Sequence, residues 1–187
     1  MKLSQYIITI QTHLVVTHAK VLKWFDSPDE MLNYCPKDGG WTVSEILEHI
    51  GLTSYYLLIL IDKAADKALR NINDLSLEKQ LDEFKFDLER INTIGVHKSF
   101  EWIRPEHMEP SGEKGALAVK DQLISQLYKC LTHLETLKDG QGLLYQTTMS
   151  VNQLGKINVY EYIYFLSAHA ERHLQQMEEN EREFSGK

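Results

Sequence analysis

In four long segments of this chain, apolar residues recur every three or four positions. That is the period of a helix with one buried face, and no segment carries a convincing strand pattern. The first runs through Leu3, Ile7, Ile10, Leu14, Val21 and Phe25 and stops at Asp26-Ser27-Pro28-Asp29-Glu30. There Ser27, Pro28 and Glu30 fit the N-cap, first-turn proline and capping-box positions of a short new helix. The second opens on Thr42-Val43-Ser44-Glu45, a capping box, and continues through Val43, Ile46, Leu47, Ile50, Leu57, Leu58, Ile61 and Ala65 to about Leu69. The third is defined by Leu117, Ile124, Leu127, Leu131 and Leu134 and ends near Lys138-Asp139-Gly140, a lysine and a glycine where a helix C-terminus favours them. The fourth starts at Asn158-Val159-Tyr160-Glu161, a further capping-box pattern, and carries Tyr162, Phe165, Leu166, Leu174 and Met177 to about Glu183, with Ser185 to Lys187 fraying.

Between the second and third segments, Glu78 to Ile94 reads as a charged, partly exposed helix, and Gly95 to Gly115, with Pro105, Pro110 and Gly112, as poorly periodic crossover. The prediction is an all-α four-helix bundle occupying residues 1–187 as one domain. The crossover between helices two and three is long enough to run back along the bundle. Those helices need not be antiparallel neighbours, and an up-down-down-up order is expected.

At 187 residues a single core is expected to hide about 70% of the surface the unfolded chain exposes, so no metal or disulfide is needed merely to fold the chain. Cys35 and Cys130 are distant in sequence and form no Cys-x-x-Cys pair, and Cys130 reads as a small core residue. With 27 acidic against 20 basic side chains, a net charge of −7 and no Lys/Arg run, nucleic-acid binding is not expected. The longest apolar stretch, Tyr55 to Ile61, is far short of the ~18 residues of a membrane span. The opening residues do not lead into a signal-peptide core, so a cytoplasmic location is expected. Eight histidines are the oddity.

Two of them are placed where chemistry can happen. Phased at 100° per residue from His169, the residues Tyr162, Phe165, His173 and Gln176 fall within about 40° of one line. Both imidazoles therefore lie on the apolar stripe, while Glu171, Arg172, Gln175, Glu178 and Glu179 supply the solvated face. At four residues' spacing, two side chains can converge on one ion at Zn–N distances of about 2.0–2.1 Å. On the second helix, His49 shares a stripe with Thr42, Thr53, Tyr56 and Leu60 at the edge of the core-facing surface. A lone core histidine is usually satisfied by a hydroxyl, a carbonyl or a water. Three unsatisfied imidazoles would cost about 1–3 kcal/mol each, and sharing a divalent metal removes that cost.

The stretch Trp41-Thr42-Val43-Ser44-Glu45-Ile46-Leu47-Glu48-His49-Ile50 resembles the Trp-[Ser/Thr]-x-x-Glu-[aliphatic]-x-x-His-[aliphatic] opening of helix two in the DinB-like superfamily. Leu154 to Asn158, followed by Phe165-Leu166-Ser167-Ala168-His169-Ala170-Glu171-Arg172-His173-Leu174-Gln175-Gln176, resembles that family's last helix with its His-x-x-Arg-His-x-x-Gln ending. The resemblance implies an up-down-down-up bundle that binds a divalent metal, nickel or zinc in related proteins, through three histidines, here His49, His169 and His173. It also implies a homodimer formed through an apolar helix face. Relatives include thiol-dependent S-transferases and isomerases, proteins regarded as metal-dependent hydrolases, and DNA-damage-inducible proteins. Where relatives often carry His-Pro before Leu154-Gly155, this chain has Val151-Asn152-Gln153.

Three neutral histidines leave positions on a metal open, the arrangement of a catalytic site. Such a metal can activate a water or a thiolate. The leading expectation is a metal-dependent enzyme acting on a small molecule, by S-transfer with a low-molecular-weight thiol as cosubstrate. The alternatives are a metal-dependent hydrolase and a non-catalytic, stress-associated metal-binding bundle. Glu45, Thr53, Tyr56, Tyr162 and Gln176 are candidate pocket or supporting residues. His13, His18, His97, His107 and His133 form no second cluster and are read as boundary or loop residues.

Overall fold

The computed structural model describes residues 2–73, 76–102 and 105–186. Met1 and Lys187, where the expected leaderless start and frayed end in part fell, lie outside the described residues, as do positions 74, 75, 103 and 104 of the crossover.

Seven α-helices are described: α1 (Leu3–Lys23), α2 (Asp29–Leu32), α3 (Val43–Arg70), α4 (Leu77–Glu83), α5 (Glu89–Asn92), α6 (Ala116–Thr136) and α7 (Val159–Ser185). Four are long, at the places the periodicity gives. Both long capping boxes form: Thr42 Oγ1 accepts from the Glu45 amide at 3.2 Å while Glu45 Oε2 accepts from the Thr42 amide at 2.8 Å. Asn158 and Glu161 do the same at the start of α7. A missing cap of this kind costs about 1 kcal/mol, so these residues fix where α3 and α7 begin and hence which faces they bury.

Each long helix packs on two others. On α7, α1 runs in the same direction, since Tyr6 meets Tyr160, His13 meets Ser167, and Val21 shares a cluster with Leu174 and Met177. The opposite direction belongs to α3: Trp41, just before it, accepts from Asn180 near the end of α7, and its His49 faces His173. Running parallel to α3 is α6, where Gln122 and Gln126 both donate to the Gly51 carbonyl and His133 reaches Asp62. Two apolar clusters fill the interior, one around Tyr6, Ile10, Ile61, Tyr160 and Phe165, the other around Val21, Ile46, Ile50, Leu123 and Leu174.

Several expectations need correction. A two-stranded antiparallel hairpin is present, β1 (Gln146–Met149) with β2 (Gly155–Asn158), paired from Gln146 with Asn158 to Met149 with Gly155. Its strands are four residues long and carry no alternation, and Asn152 (φ 45°) and Gln153 (φ 54°) turn the chain between them. Asparagine tolerates the left-handed region better than most residues. The segment expected as one helix from Glu78 to Ile94 is broken: α4 ends at Glu83, and an extended stretch lets Phe84 and Phe86 pack edge-on against Tyr6 before α5 begins. The short α2 has Pro28, not Ser27, at its N-cap, with no side-chain cap bond. Leu117 is 72% exposed; Leu134 of the expected stripe is buried, and with it α6 turns Val119, Leu123, Gln126 and Cys130 inward. Buried Gln126 is the polar residue that disguises this stripe. The fourth long helix continues to Ser185.

Candidate metal centre

His49 stands two turns into α3, so the capping box at Thr42 sets its height and its face. His169 and His173 stand one turn apart on α7. All three are buried, at 3%, 3% and 6% exposure, in the level of the molecule where the two apolar clusters meet. One potential ligand atom from each lies within 4.8 Å of the others. The ring centroids are 4.5 Å apart for His169 and His173, 4.8 Å for His49 and His173, and 5.2 Å for His49 and His169.

Hydrogen bonds settle which nitrogen two of the rings can offer. The Met108 carbonyl lies 2.7 Å from His49 Nδ1 and can only accept, so Nδ1 carries the proton and Nε2 is the nitrogen left for the cluster. Gln176 Oε1 does the same for His173 Nδ1 at 2.9 Å. His173 Nε2 is 3.2 Å from His169 Nε2. Two nitrogens bound to one ion at zinc distances, 90–109° apart, are separated by about 2.9–3.4 Å, so this pair fits a shared ion. Burial, then the neighbouring imidazoles, holds His169 well below the ordinary histidine pKa; burial, then His49, does so for His173. Neutral imidazoles are what metal ligation requires. The donor set therefore fits a divalent ion.

Of the other sequence candidates, Thr53 is buried with Oγ1 3.5 Å from His49 Nε2, and Gln176 bonds His173. Tyr162 is buried, its phenol pushed up to about 12 by that burial, and it lines a cavity beside the histidines. Glu45 is engaged at the helix cap, and Tyr56 packs edge-on against His107, outside the cavities at the histidines.

The crossover supplies what sequence reasoning missed. It is pinned across the histidines at two points. Gln175 accepts from the His97 amide at 2.9 Å and donates to the Gly95 carbonyl at 3.0 Å. Glu48, buried next to His49, accepts from Ser111 Oγ at 2.9 Å and from the Gly112 amide at 2.9 Å. Between these points lie Trp102, whose ring is 5.5 Å from that of His169, and Met108, whose carbonyl orients His49. Arg172 and Gln175, expected on a solvated face, are half-buried beneath this segment. His97, expected to be an isolated loop residue, lines the site. The legible signal was the pair of polar residues Glu48 and Gln175 beside the ligand positions, whose partners sequence alone does not supply.

Two cavities flank the histidines, of about 250 and 260 Å³, at the small end for small-molecule sites. His49, His169 and Trp102 line both. One is completed by Trp41, His97, Arg172, His173 and Gln176. The other is mostly apolar, with Leu57, Met149, Val151, Tyr162 and Phe165 in its wall, so the hairpin that the sequence hid forms one side of it.

The family model of the DinB superfamily matches residues 13–177. No curated protein and no solved structure gives a significant match. Among the described residues, no helix is long and apolar enough to cross a membrane.

Proposed function

The chain belongs to the DinB superfamily, and from that premise we propose that it is a metal-dependent enzyme acting on a small molecule, with thiol-dependent S-transfer as its reaction. His49, His169 and His173 are the ligands in this reading. The observation that carries it is the burial of three imidazoles with potential ligand atoms within 4.8 Å of one another, between two cavities. We also read the helix directions as an up-down-down-up four-helix bundle, with residues 1–187 as one domain.

A zinc or nickel ion held there would supply a Lewis acid that favours a thiolate at neutral pH. The chain's own groups do the rest. Met108 and Gln176 keep the Nδ1 protons of His49 and His173 in place and so turn each Nε2 inward. Trp102 lies beside the centre on the crossover side, and the apolar wall of Leu57, Phe165 and Met149 accommodates the apolar part of a small molecule. Transfer is favoured over hydrolysis because no carboxylate among the described residues lines either cavity to act as general base: Glu45 caps a helix and Glu48 clamps the crossover. A thiol cosubstrate brings its own nucleophile and needs no such residue.

The test is the visible and near-ultraviolet spectrum of cobalt-loaded protein titrated with mercaptoethanol. S-transfer predicts new thiolate-to-cobalt bands that saturate. A cobalt spectrum indifferent to the thiol contradicts the transfer reading and leaves hydrolysis or a non-catalytic role.

A further inference from the structure

The two cavities beside the histidines differ in charge. No carboxylate among the described residues lines the Arg172 chamber, in a chain whose net charge is −7. Arg172 itself carries a permanent positive charge. Among the described residues no carboxylate pairs with it, and the Val96 carbonyl at 3.4 Å is the one acceptor it reaches. Its guanidinium is held against aromatic faces, 4.7 Å from the Trp102 ring centroid and 5.9 Å from that of Phe100. That packing restrains a group with five N–H donors.

The neighbouring groups are also donors without acceptors. Gln176 spends its Oε1 on His173, so its amide N–H₂ is what remains to offer the chamber. Among the described residues, Trp102 Nε1, which can only donate, is buried with no hydrogen-bond partner, and Trp102 lines this chamber. Buried donors normally find a partner, so an orphaned indole N–H beside an unpaired guanidinium at one cavity implies an acceptor that arrives from outside the chain. Glu179 lies 3.6 Å from His97 Nε2, the nitrogen that donates toward it, is paired with Lys98 at 2.9 Å and does not line the chamber.

We propose that the chamber formed by Arg172, Gln176, His97 and Trp102 is an anion subsite that receives a carboxylate of the small molecule handled at the histidines. The proposal rests on the small-molecule reading above and deepens it by naming the charge of that molecule. A carboxylate is favoured over a phosphate because, among the described residues, Arg172 is the one permanent positive charge lining the chamber, which matches a monoanion. The planar fork of an arginine pairs with a carboxylate through two parallel hydrogen bonds. The substrate class is then a small carboxylic acid, or a thiol bearing a carboxylate, whose apolar or reacting part extends past the histidines toward Phe165.

Benzoate is the probe, with benzamide as its neutral isostere, titrated into metal-free and zinc-loaded full-length protein and followed by the indole N–H signals. Saturable benzoate binding is expected without metal. Loss of a buried charged hydrogen bond predicts weakening of about tenfold or more in Arg172→Met, and a smaller loss in Arg172→Lys. A thermal melt matched to wild type and an unchanged zinc content show that the variants have kept the fold and the centre. The proposal is overturned if benzoate binds Arg172→Met as it binds wild type, if benzamide binds as well as benzoate, or if no saturable shift occurs. Tighter binding of inorganic phosphate than of benzoate overturns the carboxylate assignment. Zinc content of the same samples separates the two readings: Arg172-dependent benzoate binding by a protein that takes no zinc removes the metal reading alone, and zinc uptake with no benzoate binding removes the subsite alone.

Discussion

At the scale of single residues, the outer nitrogens of two histidines decide what the inner ones can do. His49 donates its Nδ1 proton to the Met108 carbonyl and His173 donates its own to Gln176, so neither ring can flip without breaking that hydrogen bond. Removing such a supporting partner typically costs ten- to a hundredfold in metal affinity. Gln176→Leu is therefore expected to weaken zinc binding by about that factor with little change in melting temperature, measured by competition with a chromophoric chelator. Native affinity in this variant would show that Gln176 does not orient His173. His169→Ala is expected to weaken zinc far more than His133→Ala, because His133 is engaged with Asp62 away from the cluster.

At the scale of elements, the crossover is the part that turns a packed histidine cluster into a site. Glu48 holds it by Ser111 and Gly112, three and four residues beyond the carbonyl that orients His49. Glu48→Ala is expected to cost about 1–3 kcal/mol in a urea melt, through loss of the hydrogen bonds its carboxylate accepts from Ser111 and Gly112, and to weaken zinc binding as Met108 loosens. Unchanged stability and unchanged zinc affinity together would contradict that link. The helices and their histidines were legible in the sequence because capping boxes and a 3.6-residue period are local: Thr42 with Glu45, Asn158 with Glu161, and His169 with His173 each need only a few neighbouring positions. The hairpin, the broken segment around Phe84 and the roles of His97, Trp102 and Arg172 were not legible. The hairpin pairs locally but its two four-residue strands carry no alternation, whereas the others depend on partners far along the chain, as with Tyr6 for Phe84, Gln175 for His97 and Trp102 for Arg172. Leu117 misled for the same reason, since which face of α6 is inward is decided by Gly51, to which Gln126 donates.

At the scale of the whole molecule, the core is large enough to stand without an ion, so chelation should leave the helical signal intact. The metal-free protein carries a pH liability. Burial lowers the pKa of His18, His169 and His173 in the folded chain, while in the unfolded chain they titrate near 6.5. The unfolded state then binds more protons in the window below about 6.5, so the stability these residues contribute is present above that pH and is lost as pH falls toward their folded values. Urea midpoints in the presence of a chelator should fall from pH 7 to pH 5, and equal midpoints would contradict neutral burial of these rings. The most direct test of the central claim is elemental analysis of untagged protein, comparing wild type with His49→Ala, His169→Ala and His173→Ala. The account predicts close to one divalent ion per chain in wild type and its loss in all three variants. A wild type that cannot be loaded with zinc, nickel, cobalt or manganese, or variants that retain the ion, would contradict it.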